Sequence, residues 1–149
     1  MPTVRDVLAR KGHKVVSVGT ECSVLDAARL MSQGRIGGVL VLDDAERVIG
    51  IFTERDVLGR VVAEQRDPST TMVVDVMTPD PVSIDCRTTL DACSSLMTSR
   101  RVRHLPVMDG GALHGMITPG DLLAFRMAEQ ETIIEELHHY VFDTRPATG

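Results

Sequence analysis

Gly50-Ile51-Phe52-Thr53-Glu54-Arg55-Asp56 and Gly115-Met116-Ile117-Thr118-Pro119-Gly120-Asp121 are two copies of one heptapeptide: glycine, two apolar residues, threonine, two variable residues, aspartate. The apolar pair suits a buried strand, the threonine stands where that strand ends, and the aspartate stands where a helix begins. A hydroxyl and a carboxylate held at such a junction can bind the vicinal diol of a ribose, as the acidic residue of a dinucleotide site does. Thr-x-x-Asp is equally an ordinary helix start, in which the two side chains cap the first turn. A second copy at the matching place of a repeat favours the ligand.

The repeat extends well beyond the heptapeptide. Ser17-Val18 matches Ser83-Ile84, Leu30-Met31 matches Leu96-Met97 and Val41 matches Val107 at an offset of 66; after one residue is lost in the turn that follows Asp43, the heptapeptides match at 65. Residues 15–18 and 82–84 are short β-branched runs that predict strands. Residues 23–31 and 88–97 carry apolar residues at helical spacing behind a Ser or Thr N-cap. Residues 38–42 and 104–108 predict covered strands, turns follow, and strands at 48–52 and 113–117 lead through the heptapeptide to closing helices at 56–63 and 121–129. The fold class is therefore α/β (α+β), built from two tandem strand-helix-strand-strand-helix repeats. Short helical lead-ins at 4–8 and 74–77 give repeats at 4–63 and 73–128, joined by a polar linker at 64–72. Residues 129–142, with Ile133, Ile134, Leu137 and Val141 on one face and acidic residues opposite, predict an amphipathic C-terminal helix. Residues 143–149 are expected to be a disordered tail.

Composition narrows the classes of function. The chain has 149 residues, 43% apolar, enough to bury a core, with 3% aromatics and no Trp, so stacking platforms for single strands are nearly absent. A formal charge of −5 argues against nucleic acid as the main partner. No run approaches the length of a membrane span and the N-terminus lacks signal-peptide character, so no membrane association and a cytoplasmic location are expected. Cys22, Cys86 and Cys93 form no C-x-x-C pair and are expected to be reduced and structural, Cys93 in the core, Cys22 and Cys86 partly exposed. Adjacent His138 and His139 point about 100° apart on a helix and cannot share one ion; no metal is expected. Met31, Met97, Met108 and Met116 fall at core spacing.

The order Ser-Val-Leu-Asp-Ala-Ala-Arg-Leu-Met at 23–31, Gly-Gly-Val-Leu-Val-Leu-Asp at 37–43 and the first heptapeptide resembles the cystathionine β-synthase (CBS) domain. Asp75-Val76-Met77-Thr78, Arg101-Val102-Arg103-His104-Leu105-Pro106-Val107 and the second heptapeptide carry the same resemblance. It implies a Bateman module, two CBS domains packed about a pseudo-two-fold axis with two clefts for adenosine-containing ligands. It implies ribose binding by Thr53 with Asp56 and by Thr118 with Asp121. Adenine walls would come from Val16, Ser17 and Val18, from Val82, Ser83 and Ile84, and from Phe52 and Ile117, with Gly37, Gly38, Val39 and Leu105 beside them. Phosphates would meet Arg55, Arg101, Arg103 and His104.

Each cation has a plain alternative. Arg55 also reads as a solvated helix-start arginine, and its counterpart Gly120 carries no charge. Arg100, Arg101, Arg103 and His104 form the densest basic cluster in the chain and can grip phosphate, or simply favour the C-terminal end of a helix. The expected function is a regulatory sensor of AMP, ADP/ATP or NAD(H), with no catalytic cofactor and no catalytic residues, that reports to an unknown regulated protein or a second subunit. Two unequal sites and a homodimer are expected. The alternative is an interaction and dimerisation module with vestigial clefts; an enzyme is disfavoured because no nucleophile, base and orienting group recur at usable spacing.

Overall fold

The computed structural model describes residues 1–143. Thr3 and Asp6 form a capping box that starts helix α1, Val4–Lys11. Strand β1, Ser17–Val18, is followed by α2, Val24–Gly34, whose N-cap Ser23 accepts the Asp26 amide. Strands β2, Gly38–Leu42, and β3, Val48–Thr53, lead into α3, Glu54–Asp56, which continues as a π-helical segment, Val57–Val62. Next come α4, Val73–Val76, and β4, Thr78–Pro79. Helix α5, Leu90–Arg100, is capped by Thr89; β5, Leu105–Asp109, and β6, Ala112–Ile117, precede α6, Pro119–Asp143. The tandem α+β repeat is thus present, with four differences from the expected layout.

First, the lead-ins are exchanged. Val4, Val7 and Leu8 of α1 are buried in the core of the second repeat, with Leu90, Leu105 and Ile117. Val73 and Val76 of α4 are buried in the core of the first, with Val24, Val39 and Phe52. The Val4 amide donates to Thr88 O at 2.9 Å and the Val73 amide to Cys22 O at 2.9 Å, equivalent bonds in opposite directions. The units that pack together therefore differ from the segments 4–63 and 73–128. Residues 64–72 are docked, since the amides of Val24 and Leu25 donate to Thr71 O and Pro68 O. The crossings between packing units run through Gly12, at φ 93°, and Asp80, at φ 46°.

The heptapeptide glycines make this exchange fit. A Cβ on Gly50 would collide with Met77 Sδ, and one on Gly115 would lie 2.8 Å from Leu8 Cδ2. Leu8 is fully buried and cannot retreat into solvent. Gly115→Ala should therefore cost about 1–3 kcal/mol by overpacking, while Gly19→Ala, with no atom within 4 Å of its added Cβ, should change little; chemical denaturation measures both.

Second, the opening strand of the second repeat shrinks to a single bridge, Ile84 to Val107. In the first repeat the Leu40 amide donates to Val16 O at 3.2 Å. Pro106 stands at the equivalent place and has no N–H, so Val82 O loses that rung. The first sheet has four strands in the order β1-β2-β3-β4, the last borrowed from the lead-in, and the second has only β5-β6.

Third, the closing helices begin at Glu54 and Pro119, because Thr53 and Thr118 end their strands and start the next turn. Fourth, no separate helix starts at 129: α6 runs unbroken to Asp143, and the tail from 144 lies outside the described residues. Cys86 is buried, contrary to the partial exposure expected, and Cys93 is fully buried, where burial pushes its thiol up to about 11. Such thiols stay protonated and inert.

The two repeats meet through their sheets. Leu40 and Ile51, paired across β2 and β3, pack with Met116 of β6, supported by Leu113, Leu42 and Val48. This contact is much smaller than either repeat core, and it places the starts of both heptapeptide turns on either side of one junction.

Candidate functional site

Gly38 pairs with Thr53 across β2 and β3, and His104, the residue equivalent to Gly38, directly precedes Leu105, which pairs with Ile117. At the junction this equivalence breaks down usefully. The His104 ring lies where a side chain on Gly38 would be: a Cβ there would fall 3.1 Å from His104 Nε2 and 3.2 Å from Thr53 Cγ2. A Cβ on Gly37 would lie 3.2 Å from Glu54 Oε1 and 3.5 Å from the ring. Glycine on one side makes room for imidazole from the other.

Both heptapeptides form the cap that the pattern permits. Asp56 Oδ2 accepts from the Thr53 amide at 3.0 Å and hydroxyl at 3.3 Å. Asp121 Oδ2 accepts from the Thr118 amide at 2.8 Å and hydroxyl at 3.0 Å. They differ in what else reaches the carboxylate. Asp56 is 5% exposed, the one buried charged residue among those described; its Oδ1 accepts from the Thr78 hydroxyl at 3.2 Å and faces Arg60 Nε at 3.6 Å. Both oxygens are used. Asp121 is half-buried, and Lys11 Nζ donates to the same Oδ2 at 2.6 Å and to Met116 O at 2.5 Å. Its Oδ1 takes no hydrogen bond from the described residues.

Lys11, Thr78 and Arg60 were not singled out from sequence. Lys11 and Thr78 reach these carboxylates only because the lead-ins are exchanged, which no local pattern encodes. Arg60 could have been found, since it lies four residues after Asp56 on the same helical face; it also donates to Met77 O at 2.7 Å.

The predicted phosphate group is partly assembled. Arg55 donates across the junction to Arg101 O at 3.4 Å. Arg101 itself caps α5 in the left-handed conformation, φ 53°, as Arg35 does for α2. Arg100, Arg101 and Arg103 have exposed side chains. Burial holds His104 below its ordinary pKa; Glu54 and Asp121 pull it up, and Lys11 and Arg103 push it down. Lys11, Arg103, Glu54 and Asp121 thus all act on one imidazole.

A folded-state pKa below the ordinary value of 6.5 means that the unfolded chain takes up the proton first as pH falls. The stability tied to neutral His104 is complete above about pH 6.5 and is lost as pH falls from there towards the folded-state value. The thermal midpoint should drop between about pH 7.5 and 5.5, and His104→Asn should flatten the drop; scanning calorimetry across that range measures it.

The predicted adenine residues lie in two equivalent places. Ser17 and Val18 pair with Leu40 and Val41, and Val39 with Phe52; Val39 and Phe52 are fully buried in the first core and offer no surface, as does Ile117 in the second. Val16 and Val18 are half-buried, and so is Val82, with Ser83 exposed beside it. Ile84 uses both backbone groups, its amide to Pro106 O at 3.0 Å and its carbonyl to the Met108 amide at 2.7 Å. Val82 O accepts no bond from the described residues. A separate cavity of about 530 Å³ lies elsewhere, between α2 and the π-helical segment, lined by Met31, Ile36, Val57, Leu58 and Val62. Among the described residues no cluster of His, Cys, Asp and Glu is placed to hold a metal ion, and no helix is long and apolar enough to cross a membrane.

The family model described as "CBS domain" matches the chain twice, at residues 4–63 and 73–128. The CBS domain-containing protein YhcV of Bacillus subtilis (strain 168) is 31% identical over 130 residues, 87% of this chain and 89% of that protein. A solved CBS-domain protein from Burkholderia ambifaria MC40-6 superposes with a TM-score of 0.81 at 38% identity, covering 86% of this chain and 96% of that one. The structure of CBSX2 in complex with AMP superposes with a TM-score of 0.71 at 27% identity, covering 87% and 99%.

Proposed function

The chain belongs to the CBS-domain family, and from that membership we propose that it is a regulatory module that binds AMP at the junction of its two repeats. The reading rests above all on Asp121. A half-buried carboxylate keeps Oδ1 for a ribose diol while its other oxygen is fixed by Thr118 and Lys11. Asp56, sealed on both oxygens, serves as a structural cap. The ribose therefore belongs to the second heptapeptide.

Two further features support AMP. Val82 O, deprived of its rung by Pro106, is an acceptor suited to the 6-amino group of adenine. Lys11, Arg103, Arg101 and His104 supply positive charge for a phosphate in a chain whose formal charge is −5. AMP is also the ligand named for CBSX2. The module has no chemistry of its own and acts in the cytoplasm on a regulated protein. A ligand held by both repeats biases their relative angle about Gly12 and Asp80 by as much as its affinity differs between the two arrangements.

Calorimetric titration with AMP, IMP, ADP, ATP and NAD(H) tests the proposal. AMP should bind, and IMP, whose 6-oxo group faces Val82 O acceptor to acceptor, should bind about tenfold more weakly or worse. No binding of any of them up to millimolar concentration would sink the proposal, and equal affinity for AMP and IMP would remove Val82 from it.

A further inference from the structure

Helix α6 runs from Pro119 to Asp143 and leaves the second repeat behind after Phe125, the last of its residues buried in that core. Beyond it, every residue from 130 to 141 is exposed. That exposure has a period. Leu123, Met127, Gln130, Ile134, Leu137 and Val141 follow one another at alternating spacings of four and three, a heptad seam with Met127, Ile134 and Val141 at a positions and Leu123, Gln130 and Leu137 at d positions. Its five apolar members are 51–64% exposed, and Glu129, Glu135 and Glu136 lie on the opposite side.

The seam specifies its own occupant. An amphipathic helix lying on a globular core shows a broader apolar stripe; a strict a/d repeat fits another helix of the same kind. β-Branched Ile134 and Val141 at a with Leu123 and Leu137 at d favour two parallel strands, and a single polar d residue, Gln130, fixes register when it meets itself. The flanking charges agree with a parallel pair. Arg126 at g and Glu131 at e are five residues apart, the separation that brings them together across a parallel dimer. Arg126 reaches Asp91 at 3.2 Å in its own chain through one nitrogen, leaving other N–H groups for the partner. The seam spans about 28 Å, short for a zipper alone, but it is continuous with the domain surface: Leu123 and Met127 are the repeat equivalents of Leu58 and Val62, which are also exposed.

We propose that α6 pairs with α6 of a second copy as a parallel, in-register two-stranded coiled coil, holding the two CBS pairs side by side with the same end up. The pairing needs no nucleotide, so it stands or falls separately from the function proposed above.

Sedimentation of the full chain across a dilution series, without nucleotide, gives the test. The chain should be a dimer, and Ile134→Asp with Leu137→Asp should weaken the dimer at least about tenfold while leaving the thermal midpoint of the repeats unchanged; Glu135→Ala on the outer side should do nothing. In a Cys22→Ser background, Val141→Cys should cross-link to itself on mild oxidation, since only a parallel in-register pair brings position 141 to its own copy. A monomeric wild type, or a dimer weakened less than about twofold by the double substitution, overturns the pairing. A persistent dimer in which Val141→Cys fails to cross-link overturns the parallel arrangement.

Discussion

Asp56→Ala should destabilise the protein by about 3 kcal/mol and lower its thermal midpoint by about 6–12 °C. The carboxylate is 5% exposed and holds four donors: the Thr53 amide and hydroxyl, the Thr78 hydroxyl and, at 3.6 Å, Arg60. Removing it deletes an N-terminal cap, worth about 1 kcal/mol, and leaves buried donors unpaired at about 1–3 kcal/mol each. The loss joins two repeats in one event, because Thr78 comes from the lead-in exchanged into the first sheet. Asp56→Asn keeps one acceptor oxygen and should lose less. In both variants AMP affinity should stay within about twofold of the wild type, since neither oxygen of Asp56 is offered to a ligand. Thermal unfolding and AMP titration of the same samples separate the two effects.

Asp121→Ala should do the reverse. A charged acceptor for a diol is worth about 1.5–3 kcal/mol, so AMP affinity should fall about tenfold to a hundredfold. The stability cost should be nearer 1 kcal/mol, because Asp121 is partly open to solvent and its contact with Lys11 is discounted for screening. Calorimetric titration reads the affinity and denaturant unfolding the stability. If instead Asp121→Ala costs as much stability as Asp56→Ala and spares AMP binding, both heptapeptides are helix caps and nothing more.

The pair of predictions turns on a difference that the sequence half discloses. The repeat, its strands and its capped helices are legible because each is local: the apolar pair of the heptapeptide, the Ser23 and Thr89 caps and the β-branched runs act within a few residues of themselves. The exchange of α1 and α4 is not local. Val4, Val7 and Leu8 look like the start of the first repeat, and nothing in their spacing says which core will bury them. The clue was distributed: Gly50 and Gly115 have no side chain because Met77 and Leu8 arrive there from the other segment. Lys11 and Thr78 stayed invisible for the same reason.

Other features were readable in principle. Pro106 stands in the very stretch that carries the family resemblance, and its missing N–H shortens the opening strand at residues 82–84 and frees Val82 O. Gly38 facing His104 is a second case, a glycine and an imidazole at equivalent places whose shapes only make sense together. The continuity of α6 was legible as well, since nothing between Glu129 and Glu131 breaks a helix; dividing it at 129 hid the heptad that begins at Leu123.

The central claim is that one nucleotide site lies at the junction and is organised by the second heptapeptide. It is tested most directly by titrating AMP into isotope-labelled protein and following the backbone amides together with the His104 ring. The account predicts saturable shifts centred on Thr118, Asp121, residues 82–84 and His104, at one AMP per chain, with the amides of Thr53 and Asp56 little moved. Shifts at both heptapeptides with equal midpoints, or no shift at Thr118 and Asp121 at millimolar AMP, would contradict it.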